Sequence, residues 1–131
     1  MIQKMLAEAR DRIVRLAPIE AQASGRLIVD TRSNDERERD GIVPGSVHVP
    51  LSVLEWRADQ TSGYANPSLA GVPLLLVCAH GYSSSLAAAR LVDLGIDAGD
   101  LDGGFDAWCE AGLPVAAAPP PAGMPGMGGP R

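Results

Sequence analysis

Cysteine and histidine are scarce in this chain, with two of each among 131 residues: Cys78 and Cys109, His48 and His80. A lone pair of cysteines excludes a disulfide-built scaffold and reads as two free thiols. No C-x-x-C or paired-histidine spacing accompanies them, so no metal site is expected. Long hydrophobic runs are also lacking, and none approaches the roughly 20 residues of a membrane-spanning helix. The opening "MIQKMLAEARDRIVRL" is apolar on one face only and lacks the continuous core and cleavage site of a secretory signal, which makes a cytoplasmic location the expectation. A basic excess is missing too. The formal net charge of -5 argues against nucleic acid or an anionic membrane as partner, since both attract positive surfaces. Within that balance the second half is poor in arginine: eight Lys and Arg precede residue 41, and only Arg57, Arg90 and Arg131 follow it.

What is present is enough for one domain with a real core. Ile2, Met5, Leu6, Ala9, Ile13 and Leu16 recur at helical spacing and predict an amphipathic N-terminal helix over residues 1–17, ended by Pro18. "RLIVDTR" reads as a buried strand with Asp30 and Arg32 at its carboxyl end. "NDERERDG" is either a helical turn or a charged loop. "GIVPGSVHVP" reads as turn, strand, turn, and "LSVLEWR" as a short helix. "LLLV", 74–77, is a fully buried strand, and Leu86, Ala87, Arg90, Leu91 and Leu94 outline a helix ended by Gly95. "DAGDLDGGFDAWCEAGLPV" supplies a brief strand, a Gly-Gly turn and a short helix that turns Phe105 and Trp108 inward. The acidic residues beyond position 92 read as a solvated face. Alternating strands and helices predict an α/β domain over 18–115, a central parallel sheet with helices on both faces. The Pro/Gly-rich 116–131 is expected to be a disordered tail.

The chemistry concentrates in "LLLVCAHGYSSSLAAARL". A cysteine ending an apolar strand is ordinarily inert core. Here, however, the strand runs into a glycine-containing loop and a serine-rich helix start, at the carboxyl edge where open α/β sheets bind ligands. Backbone N–H groups of Ala79, His80, Gly81, Tyr82, Ser83 and Ser84 can curl into a nest, and the helix dipole adds positive potential. Both lower a thiol pKa and make Cys78 a thiolate nucleophile.

The segments "IVDTR", "GIVPGSVHVP", "LLLVCAHGYSSSLAAARLVDLGI" and "DGGFDAWCEAGLPV", in that order, resemble the single-domain rhodanese-like sulfurtransferases. The resemblance covers about Pro18 to Val115. It implies that Cys78 takes a sulfane sulfur from thiosulfate or a persulfide, carries it as a cysteine persulfide, and passes it to a thiol, to cyanide or to a protein acceptor, with no cofactor. Loops of that family commonly read C-x-x-G-x-R-S; here the arginine position is Ser83. Arg57 and His80 are candidate substitutes, with Arg90 too far along its helix. Related phosphatases of the fold use a longer loop that also ends in arginine, a poorer match.

Two other functions fit the same residues. A rhodanese-fold binding or regulatory module that lost the loop arginine would hold Cys78 as an ordinary thiol. A redox sensor would join Cys78 to Cys109. Cys109 otherwise reads as a bystander, His48 as a satisfied structural histidine, Asp30 and Arg32 as a loop-bracing pair, and Trp56 as either core or a support that aims Arg57 at the loop.

Overall fold

The computed structural model describes residues 1–120. Five parallel strands form one sheet in the order β1-β5-β4-β2-β3: β1 Val14–Leu16, β2 Leu27–Asp30, β3 Val47–His48, β4 Leu74–Val77 and β5 Ala98–Leu101. Strand β4 lies in the middle, and all four of its side chains are buried. Alternation sends them to two cores. Leu74 and Leu76 pack with Leu54 and Ala58 of α4 (Leu54–Ala58) and with Ala87, Ala88 and Leu91 of α5 (Ser83–Asp93). Leu75 and Val77 face Ala21 of α2 (Pro18–Ala23) and Phe105 and Trp108 of α6 (Gly104–Glu110). Helices therefore cover both faces, as the alternating pattern predicts. Each fully buried leucine contributes about 2 kcal/mol.

The charged stretch after β2 is a helix, α3 (Asn34–Asp40), opened by a capping box in which Ser33 Oγ accepts from the Glu36 N–H while Glu36 Oε1 accepts from the Ser33 N–H. Among the described residues no helix is long and apolar enough to cross a membrane.

The N-terminus departs from expectation. Helix α1 spans only Ile2–Asp11, and residues 14–16 are not helix but an edge strand, in register Val14↔Gly99, Arg15↔Asp100 and Leu16↔Leu101. Ile13 and Leu16 happen to continue the helical period, but β5 offers a backbone ladder to a β-branched segment. That close approach requires Gly99, where a Cβ would lie 2.3 Å from the Val14 carbonyl oxygen. Pro18, read as a stop, instead opens α2, where its missing N–H costs nothing. Ala116 exchanges both backbone hydrogen bonds with Ile42, so order extends past the expected boundary at 115. The tail expectation for 121–131 lies outside the described residues.

Candidate active site

Strand β4 delivers Cys78 to the centre of the sheet's carboxyl edge, and residues 79–82 lead into α5. The loop's shape follows from where its carbonyls go. Thr31 N–H and Oγ1 both donate to Val77 O, Phe105 N–H donates to Cys78 O (2.8 Å), and Asp106 N–H donates to Ala79 O (3.1 Å). Two arginines from the N-terminal segment, Arg10 and Arg15, donate to Gly81 O at 2.8 and 3.0 Å. These contacts fix the loop's course around the thiol, and Gly81 N–H points at Cys78 Sγ at 3.2 Å. Gly81 adopts φ +85°, and a Cβ there would strike the Gly103 nitrogen at 2.8 Å, so the turn needs glycine.

Cys78 is buried, yet it borders a cavity of about 300 Å³ also lined by Ala79, His80, Tyr82, Ser83, Thr31, Arg32, Glu36 and Leu51. Burial pushes the thiol up. The hydroxyls of Ser84 and Ser83 and the backbone N–H groups of Ser84 and Gly81 outweigh it and hold Cys78 below the ordinary thiol range. Cys109 is different: it is exposed, and burial of its sulfur together with Asp106 pushes it up. Both cysteines are free.

Several sequence expectations meet here and one fails. Of residues 79–84, Ala79, His80, Tyr82 and Ser83 line the cavity with Cys78, and Gly81 N–H and Ser84 Oγ meet its sulfur. His80 lines the cavity, with Nδ1 2.8 Å from the Asp106 carboxylate. Tyr82 also lines it, with its exposed ring 5.6 Å from the Arg10 guanidinium carbon. Asp30 and Arg32 form the buried bracing pair, a two-pronged contact at 3.0 and 2.8 Å. Arg32 also reaches Gly41 O, Arg37 adds a second cation on Asp30, and His48 Nε2 rests against Arg32 O at 2.8 Å. Arg57 is the failure. Its guanidinium donates to Tyr64 O at 2.7 Å, tying the chain that leaves α4, and it is absent from the cavity lining. Trp56 beside it is half exposed rather than core. Arg90 sits by Glu55 instead.

The residues missed are Arg10, Arg15 and Asp100. Asp100, read as part of a solvated face, is fully buried beneath the loop. Its Oδ2 accepts from Ser84 Oγ (2.8 Å) and Ser85 Oγ (2.7 Å), and its Oδ1 accepts from Arg15 Nε (2.8 Å). The available signal was an acid inside the short apolar run "AGDL", but its partner lies on a strand the helical period concealed.

Among the described residues no cluster of His, Cys, Asp and Glu is arranged to hold a metal ion. A second hollow, about 390 Å³, opens at the opposite edge of the sheet beside Pro73, Ile96 and Asp97, and neither cysteine nor histidine lines it.

A profile of the rhodanese-like domain family matches residues 16–111. The chain is similar to the thiosulfate sulfurtransferase GlpE of Pseudomonas syringae pv. syringae, 36% identical over 98 residues, covering 72% of this chain and 85% of that one. It is also similar to GlpE of Pseudomonas fluorescens, 36% identical with 72% and 83% covered. Among solved structures, a Rhodopseudomonas palustris protein of unknown function, described as a possible tyrosine phosphatase, superposes with a TM-score of 0.81 at 36% identity, covering 88% of this chain and 93% of that one. A rhodanese-related protein of Thermoplasma volcanium superposes at 0.64 with 24% identity, a likeness of fold.

Proposed function

Since the chain belongs to the rhodanese-like domain family and is an enzyme of the sulfurtransferase type, we propose that Cys78 is its nucleophile and carries sulfur from thiosulfate to a thiol or cyanide acceptor as a cysteine persulfide. The observation that carries this reading is the environment of Sγ: a thiol held low against the cost of burial by hydroxyl and backbone donors, opening on a cavity.

In the first half-reaction the Cys78 thiolate attacks the outer sulfur of thiosulfate. A new S–S bond forms to Sγ, the bond to the sulfonate sulfur breaks, and its electron pair leaves with sulfite. In the second, an acceptor thiolate attacks the outer sulfur of the protonated persulfide. The acceptor departs as a persulfide and Sγ is released as thiolate; cyanide in the same role departs as thiocyanate. No oxidant or cofactor enters either step. The backbone N–H groups of residues 79–84, the Ser83 and Ser84 hydroxyls and the N-terminal dipole of α5 stabilise the anions in place of a loop arginine. The relatives' names support thiosulfate as donor. The phosphatase description belongs to the neighbouring structure, and here the position at the head of α5 where a phosphate-binding arginine would stand is Ser83. Location in the cytoplasm and a protein acceptor are part of the same proposal.

Rapid mixing with thiosulfate and no acceptor is expected to release sulfite in a burst equal to the Cys78 concentration, then stop. Cys78→Ser should release none, and sulfite release by that variant would overturn the assignment.

A further inference from the structure

Cys78 Sγ and Asp100 Oδ2 both lie within hydrogen-bond distance of one hydroxyl, Ser84 Oγ, at 3.2 and 2.8 Å. That hydroxyl has a single proton. We infer that Asp100, anchored by Arg15, is a positioning residue for Cys78: it holds the Ser84 hydroxyl proton while Sγ is uncharged and yields it to Sγ whenever Sγ is an anion.

The hydrogen-bond count requires two states. With a thiol, Sγ–H donates to Ser84 Oγ and Ser84 O–H donates to Asp100. When the thiol proton leaves to water through the cavity, Ser84 O–H turns to the sulfur. Asp100 keeps Ser85 Oγ and both Nε and Nη2 of Arg15 as donors in the second state, so a fully buried carboxylate is never stranded. After sulfur is loaded, the charge sits on the outer atom, the inner Sγ is a weak acceptor, and the hydroxyl returns to Asp100. When the acceptor removes the outer sulfur, Sγ becomes an anion again and the hydroxyl turns back to stabilise it as the leaving group. This follows on the reading of Cys78 as nucleophile and names two residues it does not require.

Other charges face the site from each neighbouring element: Arg10 from α1, Asp102 beyond β5, His80 in the loop, Asp106 from α6, Asp30 and Arg32 beyond β2, and Glu36 from α3. None of them contacts Ser84 Oγ, so the switch is tested through residues that do or that act on Asp100.

The test is the pH midpoint of Cys78 alkylation by iodoacetamide, followed by mass, in the full chain. Alkylation needs no sulfur transfer, so its outcome is separate from the sulfite burst. Ser84→Ala is expected to raise the midpoint by removing the thiolate's donor. Asp100→Asn is expected to lower it by about 1 unit, since it removes a like charge and replaces a charged competing acceptor with a weaker neutral one. Ser85→Ala removes no group that itself contacts Sγ, although Ser85 Oγ also meets Gly81 O and Arg10 Nε; it leaves Asp100 one donor short and so a stronger claimant on Ser84, and its midpoint is expected to rise. Charge removal alone would shift the midpoint equally with or without Ser84, so Asp100→Asn in the Ser84→Ala background is expected to shift it less than in the unaltered chain, and an equal shift overturns the inference. An unmoved or raised midpoint in Asp100→Asn overturns the inference. Should that variant fail to fold because Arg15 is left unpaired, an unmoved midpoint in Ser85→Ala overturns it.

Discussion

At the scale of single residues, the ionisation of Cys78 is decided by a contest between burial and hydrogen bonding. A sulfur in the interior favours the neutral thiol, whereas the hydroxyls and N–H groups aimed at this one favour the anion and prevail. The sign fixes the pH behaviour. A lowered pKa means that alkylation of Cys78 reaches half its plateau below the pH of an ordinary free thiol, while Cys109, raised by burial and Asp106, reaches half above it. Peptide mass mapping of a pH series should show that order, and the reverse order would contradict it. The thiol and its nest were legible because strand, loop glycine and serine-rich helix start are adjacent in sequence. Asp100 was not, because in "DAGDLDGG" it looks like one more acid near a turn. Only the buried hydroxyls of Ser84 and Ser85 and the guanidinium of Arg15 show why a carboxylate is tolerated there.

At the scale of elements, the loop depends on the segment before residue 17. Helix α1 and strand β1 carry Arg10 and Arg15 to Gly81 O, fixing the loop at the residue whose N–H meets the sulfur. Arg10→Ala is expected to lower kcat/KM about 10-fold while costing about 1 kcal/mol or less of stability, because one charge-assisted hydrogen bond to the loop is lost. An unchanged kcat/KM would show that Arg15 alone holds the loop. Gly99→Ala tests the docking of β1. Its Cβ would meet Val14 O at 2.3 Å, forcing β1 away from β5 and Arg15 from Asp100. A loss of about 2 kcal/mol or more in urea unfolding is expected, together with reduced activity. The buried run of β4 and the inward Phe105 and Trp108 could be read from spacing, whereas the charged stretch that forms α3 fits a helical turn and a loop alike. Strand β1 could not, since a three-residue edge strand carries too little pattern to compete with the helical period of Ile2 to Leu16.

At the scale of the whole molecule, the uneven charge of the sequence is resolved by the fold. Arginines of the first half meet aspartates of the second: Arg12 with Asp93, Arg15 with Asp100 and Asp102, and Arg26 with Asp97. These contacts join the N-terminal segment to the part of the chain that bears the site, and they explain why arginines absent from the loop sequence nonetheless reach it. Their energies differ by burial. Asp97 is 61% exposed, and Asp97→Asn is expected to cost less than about 1 kcal/mol. Trp108, 2% exposed and donating to Pro114 O at 2.8 Å, anchors one of the two cores, and Trp108→Ala is expected to cost about 3 kcal/mol or more. Urea unfolding measures both, and a reversed ranking would contradict this division between surface pairs and core.

The most direct test of the account is the intact mass of reduced protein after incubation with thiosulfate and removal of small molecules. A gain of one sulfur, about 32 Da, is expected in the unaltered chain and none in Cys78→Ser. No gain in the unaltered chain, or a gain that survives in Cys78→Ser, would contradict it.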